Sequence, residues 1–225
     1  MGSEDLAKRR RNERIARFSK EQKIRAETWL IVCEGTKTEP KYFTSLLDFV
    51  NTLTDREIKF KVVGSGRNTE SLVNSVDDLF DFTNNEISKK KIRYGKTFVV
   101  FDKDDFTKSA FNNAVNMCLR KGYISLWSNE CIELWFLLHF DYLESAITRK
   151  EYFEKLTRKL KTEYKKNADN FLLLGKLDKI PKAYKYAKKL EENLNCEAQP
   201  ADRKPCTMLH KIIDEIEEYL GIKIK

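Results

Sequence analysis

The sequence has few of the residue patterns that mark disulfides, zinc sites or membrane spans. Its five cysteines show neither CxxC spacing nor even pairing, so we expect reduced thiols in a cytoplasmic protein and no zinc site. No apolar run is longer than Leu134–Leu138, which is far too short to cross a bilayer. Polar residues follow the basic N-terminus, and therefore we expect no signal peptide and no membrane partner.

Common catalytic motifs are also missing. The sequence contains no GxSxG, no Walker A motif and no internal repeat. Its two histidines, His139 and His210, have no obvious metal or triad partner, and we interpret both as structural. The candidate chemistry must therefore come from carboxylates and basic side chains.

Charged residues, in contrast, are abundant. The 225 residues include 43 Lys and Arg against 35 Asp and Glu, a formal net charge of +8. A positive balance of this kind favours a polyanionic partner, and nucleic acid is the leading candidate. The length is sufficient for one substantial hydrophobic core.

The charge pattern divides the chain into three predicted regions. Residues 1–28 form a basic N-terminal arm, 29–145 an α/β domain, and 146–225 a helical insert and closing helix packed on it. The arm is either a solvated segment or a phosphate-binding one that uses Arg9, Arg10 and Arg11. Segment 149–166 is basic on one side and apolar on the other, so it is either a solvated docked helix or one that grips a phosphate backbone through Lys155, Arg158 and Lys159.

Strand-like and helix-like segments alternate through the central region. Four predicted strands lie at 29–33, 57–63, 97–101 and 123–127. Helices are predicted from Glu39-Pro40, after Thr69, over 109–121 with Gly122 as its C-cap, and over 130–140 with Ser128-Asn129 as its N-cap. The order predicts a Rossmann-like α/β fold with a four-stranded, mainly parallel sheet flanked by helices.

Acidic residues follow two of the buried strands. Glu34 comes directly after the first strand, and Asp102 and Asp104 come after the third. Because the carboxyl ends of parallel strands meet at one edge of a sheet, we expect these side chains to converge. Carboxylate oxygens suit Mg²⁺ or Mn²⁺. The alternative is that they cap helices or pair with the many lysines.

Two further acids and a lysine lie in the same predicted region. Glu130 and Glu133 are one helical turn apart after the fourth strand. Glu133 stands in an apolar sequence, and it is either deliberately buried or part of a polar helix stripe. Lys37 follows Glu34 and is placed to steady a phosphate. The loop from Gly64 to Thr69, with Arg67, is either a phosphate-binding loop or an ordinary turn.

These motifs resemble the TOPRIM pattern of a Glu after the first strand and a DxD after the third. More narrowly, they resemble the RloB family, which combines EGxxTExxYF, FDxDD and an SNPCFELWLLLHF-like block. Residues 34–43, 101–105 and 128–140 carry the three matches, and Pro205–His210 is a weaker echo. Glu130 departs from the family, which usually has Pro there, and this makes Glu130 a poor candidate for a family function.

The resemblance implies a TOPRIM-type, Mg²⁺-dependent nuclease-like domain. It also implies a role in bacterial anti-phage abortive infection beside an ATPase partner, as in RloA/RloB and AbiLi-type pairs. On this basis we expect phosphodiester hydrolysis, with Asp102 and Asp104 as metal ligands, Glu34 as ligand or general base, and Glu133 and Lys37 in support. RNA, including tRNA, is favoured over DNA by analogy with abortive responses that disable translation.

Two other functions fit the same motifs. TOPRIM domains also serve nucleotidyl transfer and strand passage, but we find no tyrosine-bearing cleavage domain or nucleotide pocket in the sequence. The non-enzymatic alternative is a nucleic-acid-binding or regulatory subunit of an ATPase-containing complex, in which the acids bind a structural ion.

Overall fold

The computed structural model describes residues 9–17, 28–79, 94–193 and 198–225. The strands are β1 (Thr28–Cys33), β2 (Lys59–Gly64), β3 (Lys96–Asp102), β4 (Ile124–Asn129) and β5 (Cys206–Thr207). The helices are α1 (9–17), α2 (Thr38–Asn51), α3 (Thr69–Ser75), α4 (Lys108–Lys121), α5 (Glu133–Leu138), α6 (Arg149–Leu160), α7 (Asn170–Leu173), α8 (Ile180–Asn193) and α9 (His210–Leu220). Two 3₁₀ turns lie at Val76–Leu79 and Pro200–Asp202.

The five strands form one sheet in the order β2-β1-β3-β4-β5. The first four are parallel, and β5 pairs antiparallel with the end of β4. The prediction of an α/β fold with a mainly parallel sheet is confirmed. The sheet has one strand more than predicted, because a two-residue segment is too short to give a sequence pattern.

The end of β4 differs from the prediction for a physical reason. Ser128 and Asn129 were expected to cap a helix, but they continue the strand and pair with β5. The Ser128 and Thr207 hydroxyls lie 2.9 Å apart, and the Asn129 side chain donates to the Ala201 carbonyl at 3.0 Å. Helix α5 therefore begins only at Glu133 and is shorter than the predicted 130–140 helix.

The sheet is buried on both faces, as its apolar strands predict. Trp29 and Ile31 of β1 face the cluster that contains α2, α5, α8 and α9, while Leu30 and Val32 face the cluster with α3 and α4. Side chains of the predicted helical region, such as Tyr152 of α6, are buried in the first cluster. The region beyond residue 146 thus shares one core with the sheet and adds β5 to it.

Some predictions fall outside the described residues. These are most of the N-terminal arm (1–8 and 18–27) and Cys196. Within the described residues the other four cysteines are free and buried. None of the described helices has both the length and the apolar composition needed to cross a membrane.

Candidate active site

A cavity of about 300 Å³ lies at the carboxyl edge of the parallel strands. Carboxylates from four separate segments line it: Glu34, Glu39, Asp102, Asp104 and Glu133. Strands β1 and β3 are neighbours in the sheet, so the acids that follow them meet as the sequence predicts. Such a concentration of like charge in one small cavity is costly unless cations balance it.

Glu34 and Asp102 are joined directly. The Glu34 amide donates to the Val100 carbonyl of β3 at 2.9 Å, which continues the sheet pairing past the end of β1. The Glu34 side chain then accepts a hydrogen bond from the Asp102 amide, with Oε2 at 3.1 Å. Asp104 follows in a left-handed conformation, with φ of 38°, and this turn directs the chain away from the sheet. The carboxylates of both strand ends are thereby fixed at one edge.

Glu39 is a cavity residue that depends on a glycine. It lies in the first turn of α2, and it is 8% exposed. A Cβ placed on Gly35 would lie 2.2 Å from Oε2 of Glu39, well inside van der Waals contact. The missing side chain at Gly35 therefore makes room for the Glu39 carboxylate.

Glu133 is 1% exposed at the start of α5. Its Oε1 accepts a hydrogen bond from the Tyr164 hydroxyl at 2.9 Å, and the Lys166 ammonium lies 4.0 Å away. Apart from a weak contact with the Cys131 thiol, its Oε2 is buried without a hydrogen-bond partner in the described part of the chain. Glu133 is therefore a buried acid of the cavity, as in the first of its two predicted alternatives, and not part of an exposed polar stripe. Its Oε2 atom is available to a ligand.

Three basic side chains line the cavity: Lys37, Arg149 and Lys166. Arg149 forms an ion pair with Asp104, and its Nη2 lies 4.0 Å from Oδ2 of Asp102. Arg149 is the first residue of α6, whose start is fixed by a capping box between Thr148 and Glu151. The helical region thus places basic side chains next to the acidic side chains that the sheet positions.

The proximity of the acids changes their protonation. Burial raises the pKa of Glu34 to about 7, and the Asp104 and Glu39 carboxylates add to this rise while the hydrogen bond from the Asp102 amide opposes it. Burial, followed by the charges of Glu39, Glu133 and Asp104, raises the pKa of Asp102 well above its ordinary range. Burial likewise raises the pKa of Glu39. The three basic groups therefore do not fully compensate the negative charge.

The donor set fits a hard divalent cation. All five donors are carboxylates, one buried oxygen of Glu133 lacks a full partner, and burial together with the neighbouring carboxylates raises the pKa of Asp102, a cost that a bound cation would offset. Across residues 9–17, 28–79, 94–193 and 198–225, no three His, Cys, Asp or Glu side chains already stand in a coordinating arrangement. Arg149 instead occupies Asp104.

The other predicted site residues lie apart from the cavity lining. Lys155, Arg158 and Lys159 line a separate cavity on α6. Arg9, Arg10 and Arg11 lie on the exposed helix α1.

The loop that contains Arg67 behaves as a turn. The amides of Ser65 and Gly66 donate to the carbonyls of Cys33 and Glu34, and the Arg67 amide donates to the Ser65 hydroxyl. These three N–H groups therefore already have hydrogen-bond acceptors within the protein. Glu130 pairs with Lys204 at 2.9 Å, outside the cavity.

Sequence reasoning did not select three residues that line the cavity, Glu39, Arg149 and Lys166, or Tyr164, which donates a hydrogen bond to Glu133. Glu39 had a usable signal, because it lies five residues after Glu34 in the first turn of a predicted helix. Arg149, Tyr164 and Lys166 are more than 100 residues away from Glu34 along the chain, and no local pattern distinguishes them from the many other basic and aromatic residues around them.

The fold and the cavity define an α/β protein with an acidic site at the carboxyl edge of a mainly parallel sheet. The family model described as RloB-like protein matches residues 29–216. The chain belongs to the RloB-like protein family, which confirms the narrower of the two resemblances. No protein of curated function and no solved structure gave a significant match.

Proposed function

We propose that the protein is a metal-dependent, TOPRIM-type nuclease that hydrolyses phosphodiester bonds. The observation that supports this most is the convergence of five carboxylates in one cavity at the strand ends, with Lys37 and Arg149 beside them. RNA, including tRNA, is the favoured substrate over DNA. The proposed setting is bacterial anti-phage abortive infection, with an ATPase partner of the RloA/AbiLi type.

Asp102, Asp104 and Glu34 would hold Mg²⁺ or Mn²⁺. The bound ion would supply charge stabilisation at the phosphate and a more acidic water. The alternative role of Glu34 is that of general base: if Glu34 does not coordinate the ion, its pKa, which burial raises to about 7, suits a carboxylate that takes a proton from water near neutral pH. Lys37 lies at the open rim and offsets negative charge on the phosphate.

Glu133 has a supporting role in this proposal. The hydroxyl of Tyr164 fixes one of its oxygens, and the other is buried without a full hydrogen-bond partner. Arg149, which pairs with Oδ1 of Asp104, would turn towards the substrate phosphate when a bound cation balances the charge of that carboxylate.

A non-catalytic nucleic-acid-binding or regulatory subunit is the second candidate. The observation that favours it is the ion pair of Arg149 with Asp104, together with the lack of a preformed ligand set among the described residues. In that case Arg149 keeps Asp104 occupied, and the protein binds nucleic acid without cutting it.

Purified protein incubated with labelled tRNA and with plasmid DNA, in Mg²⁺, Mn²⁺ or EDTA, tests the proposal. Asp102→Asn removes a carboxylate that would hold the metal ion, and Asp55→Asn is the matched control because Asp55 is exposed, lies outside the motifs and does not line the cavity. Metal-dependent products that disappear in Asp102→Asn and persist in Asp55→Asn are expected. Products unaffected by Asp102→Asn would overturn the assignment of the site.

Absence of products from every wild-type reaction would favour the second candidate for the isolated chain. The same reactions with the ATPase partner and ATP added then decide whether the nuclease needs that partner. Binding without cleavage in the complete mixture would exclude the nuclease proposal.

A further inference from the structure

A pair of tyrosines lies on the surface formed by α8 and the segment after α5. The ring centroids of Tyr142 and Tyr186 are 5.3 Å apart, with an angle of 47° between the rings. Both side chains are only partly buried. The Asn193 side chain donates to the Tyr142 hydroxyl at 3.1 Å, so the orientation of that ring is fixed by α8.

The ammonium groups of three lysines lie near the faces of these two rings and of Phe140. The Lys189 ammonium is 4.1 Å from the centroid of Tyr142, Lys182 is 5.7 Å from that of Tyr186, and Lys179 is 4.2 Å from that of Phe140. Cation–π contacts of exposed lysines are weak, so a flat ligand can displace the ammonium groups from the ring faces. Tyr142, Tyr186, Lys179, Lys182 and Lys189 form what we call the tyrosine–lysine surface.

A basic cavity adjoins this surface. It has a volume of about 420 Å³ and is lined by Asp141, Lys155, Arg158 and Lys159. Asp141, next to Tyr142 in sequence, pairs with Lys159 at 2.7 Å, and Glu144 lies 3.8 Å from Lys189. Asp141 and Glu144 thus neutralise only two of the basic side chains in this region, and the combined surface keeps a positive charge.

Helix α6 links this region to the acidic cavity. Arg149, at its start, lies in the acidic cavity, and Lys159, near its end, lies in the basic one. Ten residues of helix separate them, which corresponds to about 15 Å. At the stacked spacing of about 3.4 Å per nucleotide, a single strand needs about four nucleotides to cover that distance.

We propose that the tyrosine–lysine surface and the adjoining basic cavity bind a single-stranded segment of nucleic acid, with bases stacked on Tyr142 and Tyr186 and phosphates near the lysines. Aromatic faces beside flexible cations are the features that single-strand binding proteins use. The inference rests on the proposed function only for the statement that the same strand continues into the acidic cavity.

The proposal distinguishes single strands from duplexes. The bases of a duplex already stack on one another and offer no free face to a tyrosine. A surface that acted through charge alone would lose affinity for both forms when its lysines are removed, and its tyrosines would not matter.

Fluorescence anisotropy with a labelled 12-nucleotide RNA, a DNA of the same sequence, and the corresponding duplexes tests this. The full chain is used in EDTA, so that no strand is cut. The double variant Tyr142→Leu/Tyr186→Leu keeps apolar packing and removes the rings; we expect it to weaken single-strand binding at least about tenfold. Tyr142→Phe/Tyr186→Phe keeps the rings and should bind like the wild type.

Lysine variants test the phosphate contacts. Lys182→Ala/Lys189→Ala should weaken binding and reduce its salt dependence, whereas the control Lys59→Ala/Lys223→Ala removes two exposed lysines elsewhere and should do so much less. Thermal unfolding of each variant confirms that it is folded. Unchanged single-strand affinity in the leucine variant, or an equal loss for duplex and single strand, would overturn the proposal.

The result is independent of catalysis. If the protein is not a nuclease, binding in EDTA still depends on the two rings. If the surface is not a binding site but the nuclease exists, the leucine variant cleaves and binds long strands as the wild type does. A two-nucleotide RNA provides a further check, because it is too short to reach from the rings to the acidic cavity and its binding at the rings should be insensitive to Asp102→Asn.

Discussion

Single residues decide whether five carboxylates can share the acidic cavity. Gly35 leaves the space that the Glu39 carboxylate occupies, and Tyr164 holds one oxygen of Glu133. Asp102 and Glu34 are buried strongly enough that their pKa values rise. The arrangement of the carboxylates therefore depends on Gly35 and Tyr164, neither of which is acidic.

Gly35→Ala should impair the site while leaving the fold nearly intact. The new Cβ would lie 2.2 Å from Oε2 of Glu39, and the flexible Glu39 side chain must turn away. We expect weaker Mn²⁺ binding by calorimetry, with little change in melting temperature.

Gly122→Ala is the control for this change. Gly122 has a φ of 71° and open space around its Cα, so alanine there costs about 1 kcal/mol in backbone strain without touching the cavity. Mn²⁺ affinity that falls equally in both variants would contradict the role of Gly35.

His139 should make stability depend on pH. Burial lowers its pKa to about 4, so between pH 4 and its unfolded value near 6.5 the unfolded chain binds more protons than the folded chain. Stability attributable to this residue is present above pH 6.5 and is lost as the pH falls through that window, by about 3 kcal/mol. The His139→Asn variant can still donate to the Trp135 carbonyl. Between pH 7 and pH 4, its free energy of unfolding in urea titrations should fall by about 3 kcal/mol less than that of the wild type.

The wild-type protein at pH 7 is the reference for this comparison. His210 is also buried with a lowered pKa, but it is present in both proteins and cancels in the difference. Parallel pH profiles for the two proteins would show that His139 does not titrate in this way.

Secondary-structure elements carry side chains from distant parts of the chain into the site. Helix α6 is the clearest case, because its first residue is Arg149 and its start is fixed by the capping box of Thr148 and Glu151. If that first turn frays, the ion pair of Arg149 with Asp104 weakens, and Asp104 becomes more accessible to a competing cation.

Thr148→Ala should therefore have two effects. Loss of the cap destabilises the protein by about 1 kcal/mol. Mn²⁺ affinity should rise, by up to about fivefold, since a partly exposed ion pair of this kind contributes about 0.2–1 kcal/mol.

Thr107→Ala is the matched variant, because Thr107 caps α4 in a similar way and does not line the cavity. It should lose similar stability with no gain in affinity. If Mn²⁺ affinity rose in both variants, the rise could not be attributed to the start of α6.

Much of this level of organisation was predictable. Apolar runs such as Trp29–Cys33 indicate strands buried on both faces, and the acid after each of two strands indicates where the site lies. The C-cap glycine Gly122 is also found in a left-handed conformation, as expected. Strand β5 was not predictable, because two residues have no periodicity and their pairing depends on β4, about 80 residues earlier.

At the scale of the whole molecule, sheet and C-terminal helices behave as one unit. Trp135, Tyr152 and Ile213 are buried in the same cluster although they lie on opposite sides of residue 146. A boundary near residue 145 marks a change in charge pattern, and it does not divide the hydrophobic core.

A fragment of residues 28–145 should therefore not fold by itself. It would expose the buried side chains of α5 and leave the end of β4 without β5. We expect it to be protease-sensitive and to lack a cooperative unfolding transition, whereas the full chain should unfold in one transition by calorimetry. A fragment with a sharp transition of its own would show that the core is divisible.

The cation positions in the acidic cavity have a consequence for synthesis of the chain. Four of the acids, from Glu34 to Asp104, leave the ribosome before Glu133, and Arg149 and Lys166 follow still later. Domains generally fold as units. Because residues 28–145 need the helical region in order to fold, the acidic side chains of a nascent chain stay unpaired until its last third is translated, and the site forms only when the helical region packs on the sheet.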